Sequence, residues 1–452
     1  MSRRTNRRQF IQQTSLAGIG FWVAGGVTLG AAKAANEKLN IAGIGIGGKG
    51  DSDINQAGNH GNVVAICDID DNTLNKKAMK FPKAKKYSDF RKMFDEMGKS
   101  IDAVTVSTPD HTHAVAAMMA IKMGKHVYCQ KPLAHSAWEA RLMRETAREK
   151  HLCTQMGNQG TADPGFRRGV ELIRGGVLGD VQEVHVWTNR PFHYWKQAPD
   201  IVARPKETPP VPEYVSWDLF LGPAPERPYH PGYHPHNWRG FWDFGTGALG
   251  DMACHTTNLP FMGLELGLPT RVSAVHSEIN PETYPAYSTI TYEFPAKGAR
   301  PAVKLTWYEG AKNGSRNLPP DTLFPAGVKP SDSGSLVIGS RGRMYSPSDY
   351  GSEQVLWPAD TFKHVLLPRI ERERDTDLSH KSEWVAAIRA GKPHHALSNF
   401  DYSATLTETM LLGNVAVRSG EAIDYNPETG QITNSSTASQ YLKSHFLAGW
   451  EL

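Results

Sequence analysis

The sequence predicts an α/β protein, with an N-terminal doubly wound parallel sheet followed by a C-terminal α+β domain built on a large open, mostly antiparallel sheet. Three observations support this prediction. An apolar strand runs directly into a glycine-rich turn at 45–50. Strand and helix patterns then alternate as far as residue 149, which is typical of a parallel sheet covered by helices. Beyond residue 180, strand patterns mostly follow one another directly, which indicates antiparallel pairing.

The chain length of 452 residues favours two or three domains. We place an export segment at 1–34, the N-terminal domain at 35–158 and the second domain at 159–452. Helical patterns near the end of the chain, between about 380 and 420, are expected to pack back on the N-terminal domain.

The first 34 residues have the pattern of an export signal. Residues 6–12 read N-R-R-Q-F-I-Q, an uncharged stretch fills 9–32, and Ala32-Lys33-Ala34 has the A-x-A form of a cleavage site. This resembles a twin-arginine (Tat) signal and predicts a periplasmic protein. Five glycines make the stretch a weak membrane span, so no stable membrane insertion is expected. An amphipathic N-terminal helix is the alternative.

Composition favours a small-molecule ligand. The formal net charge is +4, and no long basic block lies beyond the first eight residues, so nucleic acid is a poor candidate partner. The four cysteines lack the CxxC spacing of a zinc site, and we predict neither a metal site nor a disulfide. Prolines flank His230, His234 and His236, and no fourth ligand accompanies them, so these histidines are not assigned to a metal.

A dinucleotide-binding motif follows the first strand. Residues 45–50 read G-I-G-G-K-G, the G-x-G-x-x-G pattern of a Rossmann turn. The first glycine permits the tight turn, the second lets the backbone approach a pyrophosphate, and the third lets the next helix pack against the sheet. The predicted contacts to NAD in this turn are Gly45, Ile46, Gly47, Gly48, Lys49 and Gly50.

An acidic residue lies at the expected distance after the glycine turn. Asp68 ends the second strand pattern about 20 residues later, where a carboxylate accepts hydrogen bonds from the ribose hydroxyls. Because that carboxylate would repel a 2′-phosphate, NAD is favoured over NADP. Asp70 is the competing candidate.

Other predicted cofactor contacts lie at or after later strand ends, where ligands bind in a doubly wound sheet. They are Ser107, Thr108, Pro109, His111, Gln130, Lys131 and Gln159.

Two segments carry a family resemblance. Residues 124–133 read G-K-H-V-Y-C-Q-K-P-L, and 108–113 read T-P-D-H-T-H. Together they resemble the Gfo/Idh/MocA oxidoreductases, which usually show E-K-P where this chain has Gln130-Lys131-Pro132. The resemblance implies that Lys131 lies near the nicotinamide and the reacting hydroxyl. The loss of the acid at Gln130 is expected to alter the local charge.

A second segment, 238–255, contains Asp251 and His255 four residues apart, on one face if the segment is helical. The resemblance implies that His255 is a general acid/base and that Asp251 lies beside it. A nearby carboxylate is expected to raise the affinity of the imidazole for a proton.

Aromatic and polar side chains crowd two loops of the second domain, as in sites that bind sugars. The predicted substrate-binding residues are Arg190, His193, Tyr194, Trp238, Arg239, Asp251 and His255.

These features predict an NAD-dependent oxidoreductase acting on a secondary hydroxyl or keto group of a sugar, glycoside or polyol. One alternative is a glycoside hydrolase that recycles tightly bound NAD, which would suit an exported protein. The other is a non-catalytic NAD-binding protein. The family resemblance also implies a homodimer or homotetramer.

Overall fold

The computed structural model describes residues 38–365 and 375–452. The predicted export signal at 1–34 lies outside the described residues. Within the described ranges, no helix is long and apolar enough to span a bilayer.

The N-terminal domain contains one six-stranded sheet in the order β3-β2-β1-β4-β5-β6, and every pairing is parallel. The prediction of a doubly wound parallel sheet is therefore confirmed. Its elements are β1 Leu39–Ile44, α1 Lys49–Ala57, β2 Gly61–Cys67, α2 Asp71–Lys80, β3 Lys85–Tyr87, α3 Phe90–Met97, β4 Ala103–Val106, α4 Asp110–Lys122, β5 His126–Cys129, α5 Ala137–Glu149 and β6 Thr154–Met156.

The strand order fixes where a ligand can bind. The chain builds outward from β1 to β3 and then crosses back to β4 on the other side of β1. The connections on the two sides diverge at this point, and a crevice opens beyond the carboxyl ends of β1 and β4. All four residues of β4 are buried, as expected for a central strand covered by helices on both faces.

The C-terminal domain contains a ten-stranded sheet in which β7 and β10 pair in parallel and the other pairings are antiparallel. The predicted open, mostly antiparallel sheet is confirmed. The elements of this domain are α6 Pro164–Arg174, β7 Val181–Trp187, α7 Trp217–Leu221, α8 Gly247–Thr256, α9 Asn258–Leu264, β8 Arg271–His276, β9 Tyr287–Phe294, β10 Val303–Lys312, β11 Ser315–Arg316, β12 Gly334–Gly339, β13 Gly342–Ser346, β14 Val355–Trp357, α10 Ala359–Phe362, α11 Thr376–Ala390, α12 Phe400–Ser419, β15 Ile423–Asn426, β16 Gln431–Ile432 and α13 Ser436–Ser439.

Helices α11 and α12 lie against the N-terminal domain. Trp384 of α11 is fully buried among Ile41, Ile54 and Tyr128 of that domain. Helix α12 packs along α5 and also contacts α8. Through these contacts, α12 connects the parallel sheet to the helix that carries Asp251 and His255.

Side-chain caps mark the start of two helices in the N-terminal domain. Helix α3 begins at Phe90, because Tyr87 pairs in β3 and the Asp89 side chain caps the helix. Helix α2 is mostly polar, with only Leu74 and Lys77 buried on it, and the Asp70 side chain caps its start.

Candidate active site

A cleft of about 750 Å³ lies between the two domains. One wall is formed by the ends of β1, β2, β4 and β5, and the other by α8 and the loops around Arg190 and Trp238. It lies at the crevice that the strand order defines, and most of the predicted site residues line it.

The glycine turn forms one end of the cleft. Gly45 has φ of +70°, and Gly50 lies so close to the turn that a Cβ at Gly50 would be 1.9 Å from the Gly45 carbonyl oxygen. The first position therefore requires left-handed backbone, and the third requires the absence of a side chain. Helix α1 begins directly after Gly48 without a side-chain cap, so its first N–H groups are available to an anion.

Asp68 lies beside this turn. Its Oδ2 accepts hydrogen bonds from the backbone N–H of Ile46 at 2.8 Å and of Gly47 at 3.2 Å. Burial raises the pKa of Asp68 to about 6, although the backbone N–H groups of Asp70 and Ile46 oppose the shift. The side chain of Asp70 accepts from Thr73 N and caps α2, so Asp68 is the better placed of the two candidates for a ribose.

The cleft has the donors and acceptors that a dinucleotide needs. Thr108 Oγ1 and Gln159 Oε1 are buried without a hydrogen-bond partner among the described residues. A Cβ at Gly48 would meet open space, so backbone is accessible there. Together with the free N–H groups of α1, these features fit NAD.

The other predicted cofactor residues take different positions. Pro109 lines the cleft, and the side chain of Ile46 packs in the core, so Ile46 faces the turn only through its backbone. Lys49 and Ser107 line the cleft, but the ammonium group and the hydroxyl are bonded to Asp53 at 2.6 and 2.8 Å.

The lysine and the D-x-x-x-H pair meet at the centre of the cleft. Lys131 follows β5, and its Nζ lies 2.6 Å from Asp251 Oδ1 and 2.7 Å from the Asp251 carbonyl oxygen. As expected from the spacing, Asp251 and His255 are both on α8. Two segments 120 residues apart are thus joined by a charge-assisted hydrogen bond.

Three cations surround the carboxylate of Asp251. Besides Lys131, Arg239 Nε lies 3.4 Å from Oδ1 and Arg190 Nε lies 3.6 Å from Oδ2. Burial alone would raise the pKa of Asp251, but the charges of Lys131 and Arg239 outweigh it and hold that pKa well below its usual value. Asp251 is therefore ionised at neutral pH.

His255 is buried, and its Nδ1 has no hydrogen-bond partner among the described residues. Burial and the charge of Lys131 hold its pKa well below the ordinary histidine value, although Asp251 acts in the opposite direction. Asp251 raises the proton affinity of His255, as expected, but burial and the charge of Lys131 outweigh that carboxylate, so the net effect is a lowered pKa. The imidazole is neutral at physiological pH, as a proton acceptor requires.

Besides Ile46 and Gly50 of the glycine turn, two predicted residues do not line the cleft, and their assignments are corrected. The ring nitrogens of His111 contact the carbonyl oxygens of Phe220 at 2.8 Å and Phe244 at 3.2 Å, so His111 connects α4 to the C-terminal domain instead of facing the cofactor. Burial lowers the pKa of His111 to about 3. The loop turns at His193, which has φ of +62° and is exposed, whereas Tyr194 lines the cleft.

The remaining predicted substrate residues gather around Asp251. The guanidinium of Arg190 lies 3.5 Å from the centre of the Tyr194 ring, and that of Arg239 lies 4.2 Å from the Trp238 ring. These rings restrict both side chains, and one Nη of each guanidinium also donates within its own loop, Arg190 Nη1 to Asn189 Oδ1 and Arg239 Nη1 to the His236 carbonyl oxygen.

Sequence reasoning missed three further residues. The Tyr350 ring meets His255 edge-on with 4.9 Å between centroids, but no motif surrounds it. Asp110 is buried and accepts from Thr246 at the start of α8, and burial raises its pKa to about 6. Asp53 is fully buried among Lys49, Lys381, Ser107 and Gln130. The T-P-D-H-T-H motif could have indicated Asp110.

The fold and the cleft define a two-domain protein that binds a dinucleotide where the domains meet. Comparison with known proteins identifies its family. A model described as oxidoreductase family, NAD-binding Rossmann fold, matches residues 38–158, and a model of the C-terminal alpha/beta domain of that family matches 167–300. Together the two models cover more than half of the chain. The chain belongs to the Gfo/Idh/MocA oxidoreductase family.

Curated relatives share short stretches with it. Levoglucosan dehydrogenase of Pseudarthrobacter phenanthrenivorans is 30% identical over 94 residues, which is 21% of this chain and 24% of the relative. Inositol 2-dehydrogenase of Salmonella typhimurium is 28% identical over 125 residues, or 27% of this chain and 37% of the relative. The chain thus aligns with about a quarter to just over a third of these relatives' lengths.

Among solved structures, the WlbA dehydrogenase from Bordetella pertussis, in complex with NADH and UDP-GlcNAcA, has a TM-score of 0.59 at 15% identity. The match covers 87% of this chain and 99% of that one. At this identity the similarity shows a shared fold.

Proposed function

We propose that the protein is a dehydrogenase that transfers a hydride between NAD and a secondary hydroxyl or keto group of a sugar, glycoside or polyol. The observation that carries this proposal is the meeting of Lys131, Asp251 and His255 in one cleft with the glycine turn and Asp68. Levoglucosan and inositol dehydrogenases among the relatives support the substrate class.

The side chains divide the chemistry between them. NAD, when bound, supplies the hydride acceptor. The neutral imidazole of His255 takes the hydroxyl proton as the C–H hydride leaves the same carbon, which yields a ketone. The ammonium of Lys131 donates a hydrogen bond to the reacting oxygen and stabilises its alkoxide character. Asp251 holds Lys131 in place through the 2.6 Å contact, so the ammonium is positioned before substrate arrives.

The carboxylate of Asp68 accepts hydrogen bonds from the ribose hydroxyls, which favours NAD over NADP.

Export is also part of this proposal. Tightly bound NAD would suit an exported protein, because the twin-arginine pattern at Arg7 and Arg8 is typical of signals for a system that exports folded proteins. Changing both arginines to lysine should leave the protein in the cytoplasmic fraction, and continued appearance in the periplasm would contradict export by this route.

A homodimer or homotetramer formed through the open sheet is part of the proposal. Val275 on β8 is 63% exposed, and a partner subunit paired on this sheet would cover it. Light scattering of the purified protein should give a mass of two or four chains, and a monomer would contradict it.

Product analysis tests the reaction type. Incubation of the NAD-loaded protein with a panel of sugars, polyols and aryl glycosides should give a product lacking two hydrogens by mass spectrometry. Release of the aglycone without lasting reduction of the cofactor would instead indicate the redox-assisted hydrolase. If NAD binds and no panel member is converted or hydrolysed, the dehydrogenase proposal fails.

A further inference from the structure

The substrate half of the cleft has more positive than negative charge. Lys131, Arg190 and Arg239 all lie within 4 Å of one carboxylate, that of Asp251. Their side chains are only 16, 14 and 25% exposed, and that of Asp251 is 12% exposed. Charges this sheltered are poorly screened by water and salt, so an imbalance among them persists.

The other carboxylates of the cleft do not remove the imbalance. Asp68 bonds to the glycine turn, Asp70 caps α2, and Asp89 pairs with Arg91 at 2.7 Å, all beside the cofactor half. Asp110 is nearer, but it bonds to the backbone and hydroxyl of Thr246. Even if Asp110 is counted as ionised, three cations face two carboxylates and one positive charge remains.

The two arginines also have donor capacity that Asp251 does not meet. Charge-assisted N–H···O bonds are usually about 2.7–2.9 Å long, whereas the Arg239 and Arg190 contacts to Asp251 are 3.4 and 3.6 Å. Arg190 Nε is buried and has no hydrogen-bond partner among the described residues. Arg190 Nη1 donates to Asn189 Oδ1 and Arg239 Nη1 donates to the His236 carbonyl oxygen at 3.3 Å, which leaves Nη2 of each arginine without a hydrogen-bond partner among the described residues.

We infer that the substrate is an anionic sugar, whose acidic group is held by Arg190 and Arg239 while its reacting hydroxyl lies at Lys131 and His255. A planar carboxylate, as in a sugar acid, matches the paired donors of a guanidinium, and a phosphate offers the same acceptor chemistry. This inference rests on the proposed function, because it assigns a substrate class to the same site.

Matched sugars test it by binding. Calorimetry of the NAD-loaded protein should compare three uronic acids with their neutral parents: glucuronate with glucose, galacturonate with galactose, and mannuronate with mannose. The 6-phosphate of each neutral sugar should be compared with the same parent. We expect at least one acid or phosphate to bind about tenfold or more tightly than its neutral partner, because hydrogen bonds to charged groups contribute about 1.5–3 kcal/mol. A preference for the carboxylates or for the phosphates identifies the acidic group.

Glutamine substitutions test whether the two arginines cause the preference for charged sugars. R190Q and R239Q should each remove most of the preference for the charged sugar and raise its KM more than they lower kcat. Arg148, which pairs with Asp401 at the surface and is 60% exposed, provides the control, and R148Q should bind as the wild type does. Persistence of the charge preference in both cleft variants would overturn the assignment to these arginines.

Measurements of binding and of turnover distinguish the anionic-substrate inference from the proposed dehydrogenase activity. If no acid or phosphate binds more tightly than its neutral partner, the anionic substrate is overturned whether or not neutral sugars are oxidised. If charged sugars bind preferentially but no sugar is oxidised, the anion site stands and the proposed dehydrogenase activity fails.

Discussion

At the scale of single residues, burial and nearby cations set the protonation states of the two groups on α8. Asp251 stays ionised because cations surround it, and His255 stays neutral because burial and the same cations disfavour its protonated form. These opposite effects on neighbouring groups of α8 produce a fixed anion beside a proton acceptor. A solvated surface pair with the same spacing would not have this property.

Replacing Lys131 by methionine removes the ammonium while keeping most of the side-chain volume. We expect kcat to fall by roughly 100- to 1000-fold, the usual cost of losing one electrostatic donor in a reaction site. NAD affinity should change little, which calorimetry can check. Lys122→Met at the exposed end of α4 is the control. Turnover by Lys131→Met at the rate of the wild type would reject the role given to this lysine.

Replacing Asp68 by alanine should weaken NAD binding by about tenfold or more, because a hydrogen bond to a charged group contributes about 1.5–3 kcal/mol. NADP binding should weaken less, because the lost carboxylate no longer repels its phosphate. The matched variant Asp70→Ala removes the cap of α2 and should lower the free energy of unfolding by ~1 kcal/mol without changing the NAD to NADP ratio. If Asp70→Ala changes coenzyme preference and Asp68→Ala does not, the ribose assignment is wrong.

The raised pKa of Asp68, about 6, also predicts a pH effect. NAD is bound by the ionised carboxylate, so its affinity should be constant above pH 7 and fall as pH decreases through about 6. The Asp68→Asn variant has no such titration, and its weaker affinity should vary less over the same range. Dissociation constants measured from pH 8 to pH 5 check this, and a flat wild-type profile would contradict it.

At the scale of elements, a hydrogen bond from an amide to a carboxylate joins the end of β5 to helix α1. Gln130 stands where the resembling family usually has a glutamate, and its Nε2 donates to Asp53 Oδ2 of α1 at 2.7 Å. The same carboxylate accepts from Lys381 of α11 at 2.7 Å and from Lys49 at 2.6 Å. A carboxylate of the neighbouring helix therefore lies beside the lysine motif, and Lys381 and Lys49 hold the pKa of Asp53 below its usual value against the effect of burial.

Gln130→Glu should consequently destabilise the protein by about 2–3 kcal/mol at pH 8, because two buried carboxylates would face each other without a donor between them. One of the pair must take up a proton, so its pKa rises in the folded state and the destabilisation should shrink as pH falls toward 5. Urea unfolding at the two pH values measures this. The exposed change Gln431→Glu is the control.

The double variant Asp53→Asn/Gln130→Glu restores a single carboxylate to the network. It should be more stable than the sum of its two single changes implies, because directly contacting groups do not act additively. Equal stability of Gln130→Glu and the wild type at pH 8 would show that the amide is not required beside Asp53.

The parts of the fold that could be predicted from the sequence are those with local signals. Gly45 to Gly50 and the Asp251–His255 spacing specify a turn and a helix face within a few residues of chain. Contacts between distant segments have no such signal: Lys381 and Asp53 are 328 residues apart, and Tyr350 reaches His255 from an irregular loop. The prediction that His111 contacts the cofactor was wrong. Its motif places the residue after a strand end but does not indicate which domain the imidazole ring faces.

At the scale of the whole molecule, the two domains each supply part of one reaction site. The parallel sheet supplies the glycine turn, Asp68 and Lys131, whereas α8 and the flanking loops of the second domain supply the proton acceptor and the arginines. Helix α12 packs against both α5 and α8, so the second half of the site is fixed relative to the first by a continuous apolar core. This packing places Lys131 and His255 in the lining of one cleft before substrate binds.

The most direct test of this account is whether substrate oxidation reduces nicotinamide in the cleft. The purified protein, loaded with NAD and mixed with the sugar panel, should develop the near-ultraviolet absorbance band of reduced nicotinamide as a keto sugar forms, and His255→Ala should bind NAD but leave the spectrum unchanged. Failure of the wild type to bind nicotinamide, or an equally fast spectral change in His255→Ala, would contradict the account.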